Sequence, residues 1–281
     1  MTPSLPDDAL AELFAALALE AGAAIMGVYA KDPAARAKSD SSPVCDADVL
    51  GEAIILKGLA AALPQLPVVA EELCESGKLP EIDGEPFILV DALDGTKEFL
   101  QKRDSFTVNI GLVRDGAPVV GAVYAPARGE MFFAGSAAWT FSAAPGSKVP
   151  PRNAWRPLHT RPMPSRDAVA VASRSHRDAE TDAFLARLPV KDVVSTGSSM
   201  KFCLVAAGEA DVYPRFGRTM EWDIAAGDAV LRRAGGIVVD LAGAPVVYGK
   251  QADKFANRPF IAWGDPKAAA LHPAGAAEPA R

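Results

Sequence analysis

Residues 87–96 of the chain read FILVDALDGT, an apolar run that ends in two aspartates, a glycine and a threonine. The apolar part has the length and composition of a buried β-strand. In α/β proteins, ligands bind just outside the carboxyl ends of the strands, which is where Asp91 and Asp94 stand. Gly95 permits a tight turn, and Thr96 is predicted to begin a helix whose free N–H groups favour an anion. The stretch therefore predicts an α/β fold with an acidic site at a strand end.

Two other acidic elements lie far away in the chain. Residues 68–70 predict a strand that runs into Glu71 and Glu72, and because strand side chains alternate, only one of this pair faces a shared site. Asp223 follows Trp222 at the start of a predicted helix over residues 221–234. Taken singly, each of these acids has a simpler explanation as a helix cap, a turn former or a solvated strand end.

The acids acquire a joint meaning if the fold brings them together. Four carboxylates at the opening of one cleft repel each other unless cations neutralise them. The main-chain oxygen of Leu93 adds a further oxygen ligand. Oxygen ligands favour a hard cation such as Mg²⁺, in two or three copies. Such ions activate water and neutralise phosphate oxygens, so the set predicts phosphate-ester hydrolysis. The four carboxylates belong to Glu71, Asp91, Asp94 and Asp223.

Composition excludes several other classes of protein. The 281 residues carry 29 Lys+Arg against 35 Asp+Glu, a net charge of −6, which disfavours binding to nucleic-acid polymers. Three cysteines and three scattered histidines support neither a disulfide framework nor a zinc site. No uninterrupted apolar run reaches the roughly 20 residues of a membrane span, and the N-terminus lacks a signal-peptide pattern. We therefore expect a cytoplasmic protein without a transmembrane segment.

The order of predicted elements divides the chain into two lobes. Helices are expected over residues 8–29, capped by Asp7 or Asp8, and over residues 46–63, followed by strands up to residue 134. Six prolines between residues 142 and 164 argue against a regular strand ladder there and mark a boundary. Beyond it, strands and helices alternate. We predict an N-terminal lobe over residues 1–145 with the acidic turn, and a C-terminal α/β lobe over residues 146–281 with the last acid.

The three acidic elements, in this order, resemble the pattern of the inositol monophosphatase superfamily. The resemblance implies a layered αβαβα fold of the inositol monophosphatase or sugar phosphatase kind, and Mg²⁺-dependent removal of one phosphate. Within the superfamily, KEF at residues 97–99 is similar to the 3'(2'),5'-bisphosphate nucleotidases of the CysQ type, as are GSSMKFC at 197–203 and YPRFG at 213–217. The sequence departs from the family at Ala92, where a proline is usual, and at Cys45, where a threonine is usual.

The resemblance also implies a role for individual residues. The implied metal ligands are Glu71, Asp91, Asp94, Asp223 and the Leu93 main-chain oxygen. Asp48 and Thr96 would position and deprotonate the attacking water beside Glu71, while Gly95 and Thr96 would donate N–H groups to the scissile phosphate. The implied residues around the remainder of the nucleotide are Ser198, Lys201 and Arg215 for the 5'-phosphate and His176 near the base.

The predicted activity is hydrolysis of the 3'-phosphate of 3'-phosphoadenosine 5'-phosphate to AMP and phosphate, which clears a by-product of sulfate assimilation. One alternative is an inositol monophosphatase or related sugar phosphatase. Another, from a different class, is a catalytically silent sensor of phosphate ligands. The sequence leaves open the oligomeric state and a peripheral association with the cytoplasmic face of the inner membrane.

Overall fold

Two large β-sheets, of seven and five strands, and three layers of helices build the described part of the protein, together with two short two-stranded sheets. The computed structural model describes residues 5–31, 36–37, 43–44, 46–82, 86–175 and 177–271. Cys45 and His176, which the sequence analysis singled out, lie outside these described residues.

Helices and strands are interspersed along the chain. The α-helices are α1 (Asp7–Tyr29), α2 (Asp46–Ala62), α3 (Glu71–Glu75), α4 (Thr96–Leu100), α5 (Ala179–Leu185), α6 (Met200–Ala206) and α7 (Glu221–Ala234). The strands up to the middle of the chain are β1 (Arg36–Ala37), β2 (Pro43–Val44), β3 (Val68–Ala70), β4 (Phe87–Asp94), β5 (Thr107–Arg114), β6 (Ala117–Ala125), β7 (Glu130–Ala134), β8 (Ala138–Ser142) and β9 (Arg156–Pro157). The later strands are β10 (Ala168–Ser173), β11 (Val190–Thr196), β12 (Val212–Arg215), β13 (Thr219–Met220), β14 (Ile237–Asp240), β15 (Ala256–Asn257) and β16 (Phe260–Trp263).

The first sheet runs in chain order from β3 to β9. Its first pair of strands is parallel and the other pairs are antiparallel. Helices α1 and α2 cover one face, where Phe14, Ile25 and Ile55 share a core with apolar strand residues such as Ile110. This face uses one side of each strand, in keeping with the period-two alternation of strand side chains.

The second sheet has the order β11-β10-β12-β16-β14. Strand β10 runs parallel to both of its neighbours, whereas β16 is antiparallel to both of its own. Phe184 of α5 packs with Trp263 and Val239 on the outer face. The layers therefore follow the order αβαβα, and the predicted fold class is confirmed.

Helix α7 occupies the middle layer together with α6. Eleven of its residues are buried, on more than one side of the helix. Gly111 and Gly121 let the first sheet approach α7 closely, since a Cβ on Gly121 would lie 2.5 Å from the carbonyl oxygen of Ala226. This contact fixes the first turn of α7 beside the carboxyl end of β4, where the acidic site is expected.

Helix α1 has the length and apolar composition of a membrane-spanning helix, although no membrane span was expected from the sequence. Of that apolar window, 56% is buried inside the protein. Buried residues such as Phe14 and Ile25 pack against the first sheet. Because the core helices of globular proteins meet the same length and composition criteria, we interpret α1 as a core helix.

Several local predictions were wrong. Pro6 precedes α1, and its N-terminus has no side-chain cap; Asp8 instead accepts a hydrogen bond from the backbone N–H of Ser136 at 2.8 Å. The proline-rich segment contributes β9, which pairs with β8 through Thr140 and Arg156. The first sheet therefore extends beyond residue 145, and the division into two lobes at that point stays a prediction.

The tight contact between the first sheet and α7 is testable at Gly121. Gly121→Ala places a methyl group against the backbone of Ala226, which cannot rotate away, so we expect a loss of about 1–3 kcal/mol in the free energy of unfolding. Gly27→Ala is the matched control, because nothing lies within 4 Å of its added Cβ; in a helix the same change is neutral or stabilises by up to about 1 kcal/mol. Urea unfolding measures both. Equal midpoints for the two variants would contradict the described packing of α7.

Candidate active site

Three carboxylates from separate parts of the chain meet at the carboxyl end of β4. Glu71 begins α3, Asp91 lies in β4, and Asp223 lies in the first turn of α7. One oxygen atom of each lies within 4.8 Å of the other two. Within the described part of the chain, these three carboxylates are the His, Cys, Asp or Glu side chains that lie close enough together to share a metal ion.

A register shift in the first sheet orients the carboxylates of the acidic turn. The pairing of β4 with β5 shifts register between Asp91 and Asp94, so the intervening residues leave the ladder. The Leu93 N–H donates to Asp91 Oδ1 at 2.9 Å, which closes the turn although Ala92 replaces the family's usual proline. Gly95 then adopts a φ of 95°, a left-handed conformation that favours glycine, and α4 begins at Thr96.

The hydroxyl of Thr96 links the turn to helix α2. Thr96 Oγ1 lies 3.2 Å from Asp48 Oδ1 and 3.4 Å from the carbonyl oxygen of Leu93. Asp48 is buried, so its carboxylate is held in place. The structure therefore brings the predicted catalytic pair together at the edge of the acidic turn.

Asp94 lies beside the three-carboxylate group, in the same cleft. Its Oδ2 accepts a hydrogen bond from Asn109 Nδ2 at 3.4 Å. Asn109 Nδ2 also lies 3.2 Å from Ser199 Oγ, which in turn donates to the main-chain oxygen of Asp223 at 2.5 Å. Asn109 and Ser199 thus connect the acidic turn to the start of α7.

The electrostatics of the cluster favour bound cations. Burial raises the pKa of Asp91 well above its usual range, and the charges of Glu71, Asp94 and Asp223 raise it further. Burial and the charge of Asp94 raise the pKa of Asp223 to about 7. Burial also raises the pKa of Asp94, although Lys201 opposes that shift. Only oxygen ligands are present in the group, so the residues fit a hard divalent cation such as Mg²⁺.

A pair of buried cationic side chains lines the same cleft. Lys201 in α6 is 6% exposed and Arg215 in β12 is 9% exposed. Lys201 Nζ donates to the main-chain oxygen of Ser198 and lies 5.4 Å from the ring centroid of Tyr213. Burial lowers the pKa of Lys201 to about 8, against the opposing effect of Asp94.

Ser198, which the resemblance implies for the 5'-phosphate, lies just before helix α6. Helix α6 begins at Met200, and Ser198 before it has a φ of 51°. Ser198 is buried and lines the cleft with Lys201 and Arg215. The cleft has a volume of about 590 Å³ and holds the acidic group and the cationic pair together.

Sequence reasoning assigned no role to several polar residues of this cleft and its walls. Asn109 is an amide in the middle of a mostly apolar buried strand, and that mismatch was the available signal. Ser199 and Glu98 offered no comparable signal, because their contacts come from distant parts of the chain.

The fold and the site together define a class of protein. A layered αβαβα fold with an oxygen-ligand cluster at a strand end is typical of metal-dependent phosphatases. Residues 7–271 match the model of the inositol monophosphatase family, and the chain belongs to that family.

Two relatives carry the same name. The chain is 42% identical over 235 residues to the 3'(2'),5'-bisphosphate nucleotidase CysQ of Escherichia coli K12, covering 83% of this chain and 91% of the relative. The crystal structure of CysQ from Bacteroides thetaiotaomicron superposes with a TM-score of 0.76 and 34% identity, covering 91% of this chain and 97% of that one. An inositol monophosphatase from Anabaena superposes with a TM-score of 0.72 at 27% identity, covering 95% of each chain. The resemblance seen in the sequence is confirmed.

The raised pKa of Asp223 predicts a pH dependence of stability in protein kept free of divalent cations by EDTA. Between its ordinary pKa of 3.8 and about 7, the folded state holds a proton that the unfolded state releases, so this carboxyl's contribution is present at low pH and lost as pH rises to neutrality. We expect the urea midpoint to fall more steeply from about pH 5 to about pH 8 in the wild type than in Asp223→Asn.

Asp115→Asn is the control, because it removes an exposed charge at a turn position with a φ of 50°, which asparagine tolerates. Its pH profile should parallel that of the wild type. A wild-type profile parallel to that of Asp223→Asn would contradict the raised pKa.

Proposed function

We propose that the chain is a Mg²⁺-dependent 3'(2'),5'-bisphosphate nucleotidase that converts 3'-phosphoadenosine 5'-phosphate to AMP and phosphate. The observation that carries this proposal is the presence of the acidic group and the buried cationic pair in one cleft. Cations held by the acidic group can bind one phosphate of the substrate, and the buried Lys and Arg side chains can bind the second. The name of the CysQ relatives supports the same substrate class.

We infer that Glu71, Asp91 and Asp223 hold one Mg²⁺, and that Asp94 and the Leu93 main-chain oxygen help to hold a second or third. When bound, these ions supply an activated water and neutralise charge on the phosphate oxygens.

The remaining catalytic work falls to the turn between β4 and α4. Asp48 Oδ1 accepts a hydrogen bond from the Thr96 hydroxyl, so the Thr96 oxygen keeps lone pairs for a proton of the attacking water. Asp48 and Thr96 would thereby orient the water and accept its proton, and Glu71 lines the same cleft as Thr96. The N–H groups of Gly95 and Thr96 lie at the N-terminus of α4 and would donate to the scissile phosphate.

The far phosphate of the substrate is assigned to Ser198, Lys201 and Arg215. Arg215 offers a planar set of donors that can bind phosphate bidentately, and Lys201 adds a point charge three residues after Ser198. His176 is proposed to lie near the base on the resemblance alone. We further propose a cytoplasmic enzyme.

An inositol or sugar monophosphatase is the second candidate, since such enzymes share the fold. A monophosphate has no second phosphate to bind on the side of the cleft that Lys201 and Arg215 line. A silent phosphate-ligand sensor is less favoured, because the acidic group and the Asp48–Thr96 pair are both intact.

A substrate panel tests the proposal. With Mg²⁺ present, phosphate release should be fastest from adenosine 3',5'-bisphosphate and much slower from adenosine 3'-monophosphate and inositol 1-phosphate, and EDTA should abolish it. Because a hydrogen bond to a charged group contributes about 1.5–3 kcal/mol, Lys201→Met should lower kcat/KM for the bisphosphate by roughly tenfold or more. The same variant should change the rate with adenosine 3'-monophosphate little.

Lys267→Met serves as the control, since that lysine is exposed on the outer surface and should leave every rate unchanged. Faster turnover of inositol 1-phosphate than of the bisphosphate would overturn the proposed substrate. An equal loss on both adenosine substrates in Lys201→Met would overturn the role of the cationic pair.

A further inference from the structure

Glu98 is a buried carboxylate of the cleft that the proposed mechanism does not use. It lies in α4, three residues after Gly95, and is 4% exposed. Its side chain lines the same cleft as Asp94 and Lys201. Ser175, from the loop after β10, donates its hydroxyl to Glu98 Oε1 at 2.6 Å.

Two glycines hold this carboxylate in one position. A Cβ on Gly197 would lie 2.7 Å from Glu98 Cγ and 2.8 Å from the carbonyl oxygen of Ser105, so the backbone closes tightly over the side chain. A Cβ on Gly95 would lie 3.4 Å from Glu98 Oε2. The second oxygen of Glu98 therefore lies against the turn that is proposed to receive the scissile phosphate.

Glu98 lies between the two anion-binding features, because Gly95 of the acidic turn lies against its Oε2 and Gly197, next to Ser198, lies against its Cγ. Its negative charge acts on Asp94, beside the acidic group, and also on Lys201, in the cationic pair. A sugar that carries one phosphate at each feature would have to pass this point. Glu98 is thus placed to contact the sugar beside the scissile phosphate.

The hydrogen bonds to Glu98 are incomplete within the part of the chain that the structure describes. An ionised carboxylate has about four acceptor positions. Among the described residues, the Ser175 hydroxyl is the donor found on it, and no Lys or Arg lies within ion-pair distance. A buried carboxylate next to other acids costs free energy unless donors satisfy it. An ionised phosphate group offers Glu98 only further acceptors, whereas a sugar hydroxyl can donate a hydrogen bond to it.

We propose that Glu98 determines specificity for ribose, its Oε2 accepting a hydrogen bond from the sugar hydroxyl adjacent to the scissile phosphate, with Ser175 as the residue that positions the carboxylate. This inference rests on the proposed nucleotidase function of the same cleft. The preferred substrate class is then the ribonucleoside 3',5'-bisphosphate, and the 2'-deoxy compound is discriminated against. The loss of the hydroxyl leaves a buried charge without its donor, which is the costly case in hydrogen-bond recognition.

The test compares kcat/KM for adenosine 3',5'-bisphosphate and 2'-deoxyadenosine 3',5'-bisphosphate at saturating Mg²⁺. Both compounds carry the same two phosphates, so the ratio of their kcat/KM values measures the effect of the 2'-hydroxyl group alone. The wild type should prefer the ribose compound by about tenfold or more. In Glu98→Ala the preference should fall below about threefold, mainly through a slower reaction with the ribose compound. Ser175→Ala, which frees the carboxylate to move, should give an intermediate ratio.

Glu209→Ala removes an exposed glutamate and is the matched control, with the wild-type ratio expected. If Glu98→Ala does not fold, Glu98→Gln keeps the shape and the bond from Ser175 but removes the charge; its ratio should fall at least about threefold.

Three results would overturn the inference, and they differ from one another. A wild-type ratio near one, or an equal loss on both substrates in a folded Glu98→Ala variant, would remove the specificity role while the nucleotidase function stands. Wild-type protein that hydrolyses inositol 1-phosphate but neither nucleotide would overturn the proposed function itself, and this inference with it.

Discussion

Mutual repulsion among buried and half-buried carboxylates is the constraint on which the rest of this structure depends. Glu71, Asp91 and Asp223 bring oxygen atoms within 4.8 Å of one another, and Asp94 adds its charge nearby. Without cations, this arrangement opposes folding. The free energy that holds it comes from elsewhere, chiefly from α7, which is buried between the first sheet and the second. The close approach of Gly121 to Ala226 belongs to that packing.

Hydrogen bonds from neighbouring elements then fix the direction of each acid. Glu52 of α2 accepts from the backbone N–H groups of Glu72 and Leu73 at 2.8 Å and 2.9 Å, and so holds the start of α3, where Glu71 lies. Met220 N–H donates to Asp223 Oδ2 at 2.7 Å, which orients that carboxylate at the start of α7. The acidic group is therefore preorganised by contacts that involve each of the three elements carrying it.

The parts of the site that the sequence predicted correctly are those with local causes. The turn from Asp91 to Thr96 depends mainly on consecutive residues. An apolar strand, a glycine and a helix start form it with few contacts to the rest of the chain. The start of α3 was predicted as a strand end because its capping carboxylate, Glu52, lies 20 residues away. For the same reason the capping role predicted for Asp8 was wrong, since its partner Ser136 is 128 residues distant. The prediction that Asp91 and Asp223 lie close together came from the family pattern, and neither periodicity nor composition could have given it.

The most direct test of the central claim is a calorimetric titration of the nucleotide-free protein with Mg²⁺, repeated with Asp91→Asn. The wild type should bind the cation saturably and gain stability as its concentration rises. Asp91→Asn keeps the hydrogen bond from Leu93 N–H but loses one charge, so its affinity should fall at least about tenfold while its cation-free stability rises. Equal Mg²⁺ affinity in the two proteins, or a less stable cation-free variant, would show that these acids do not form a metal centre.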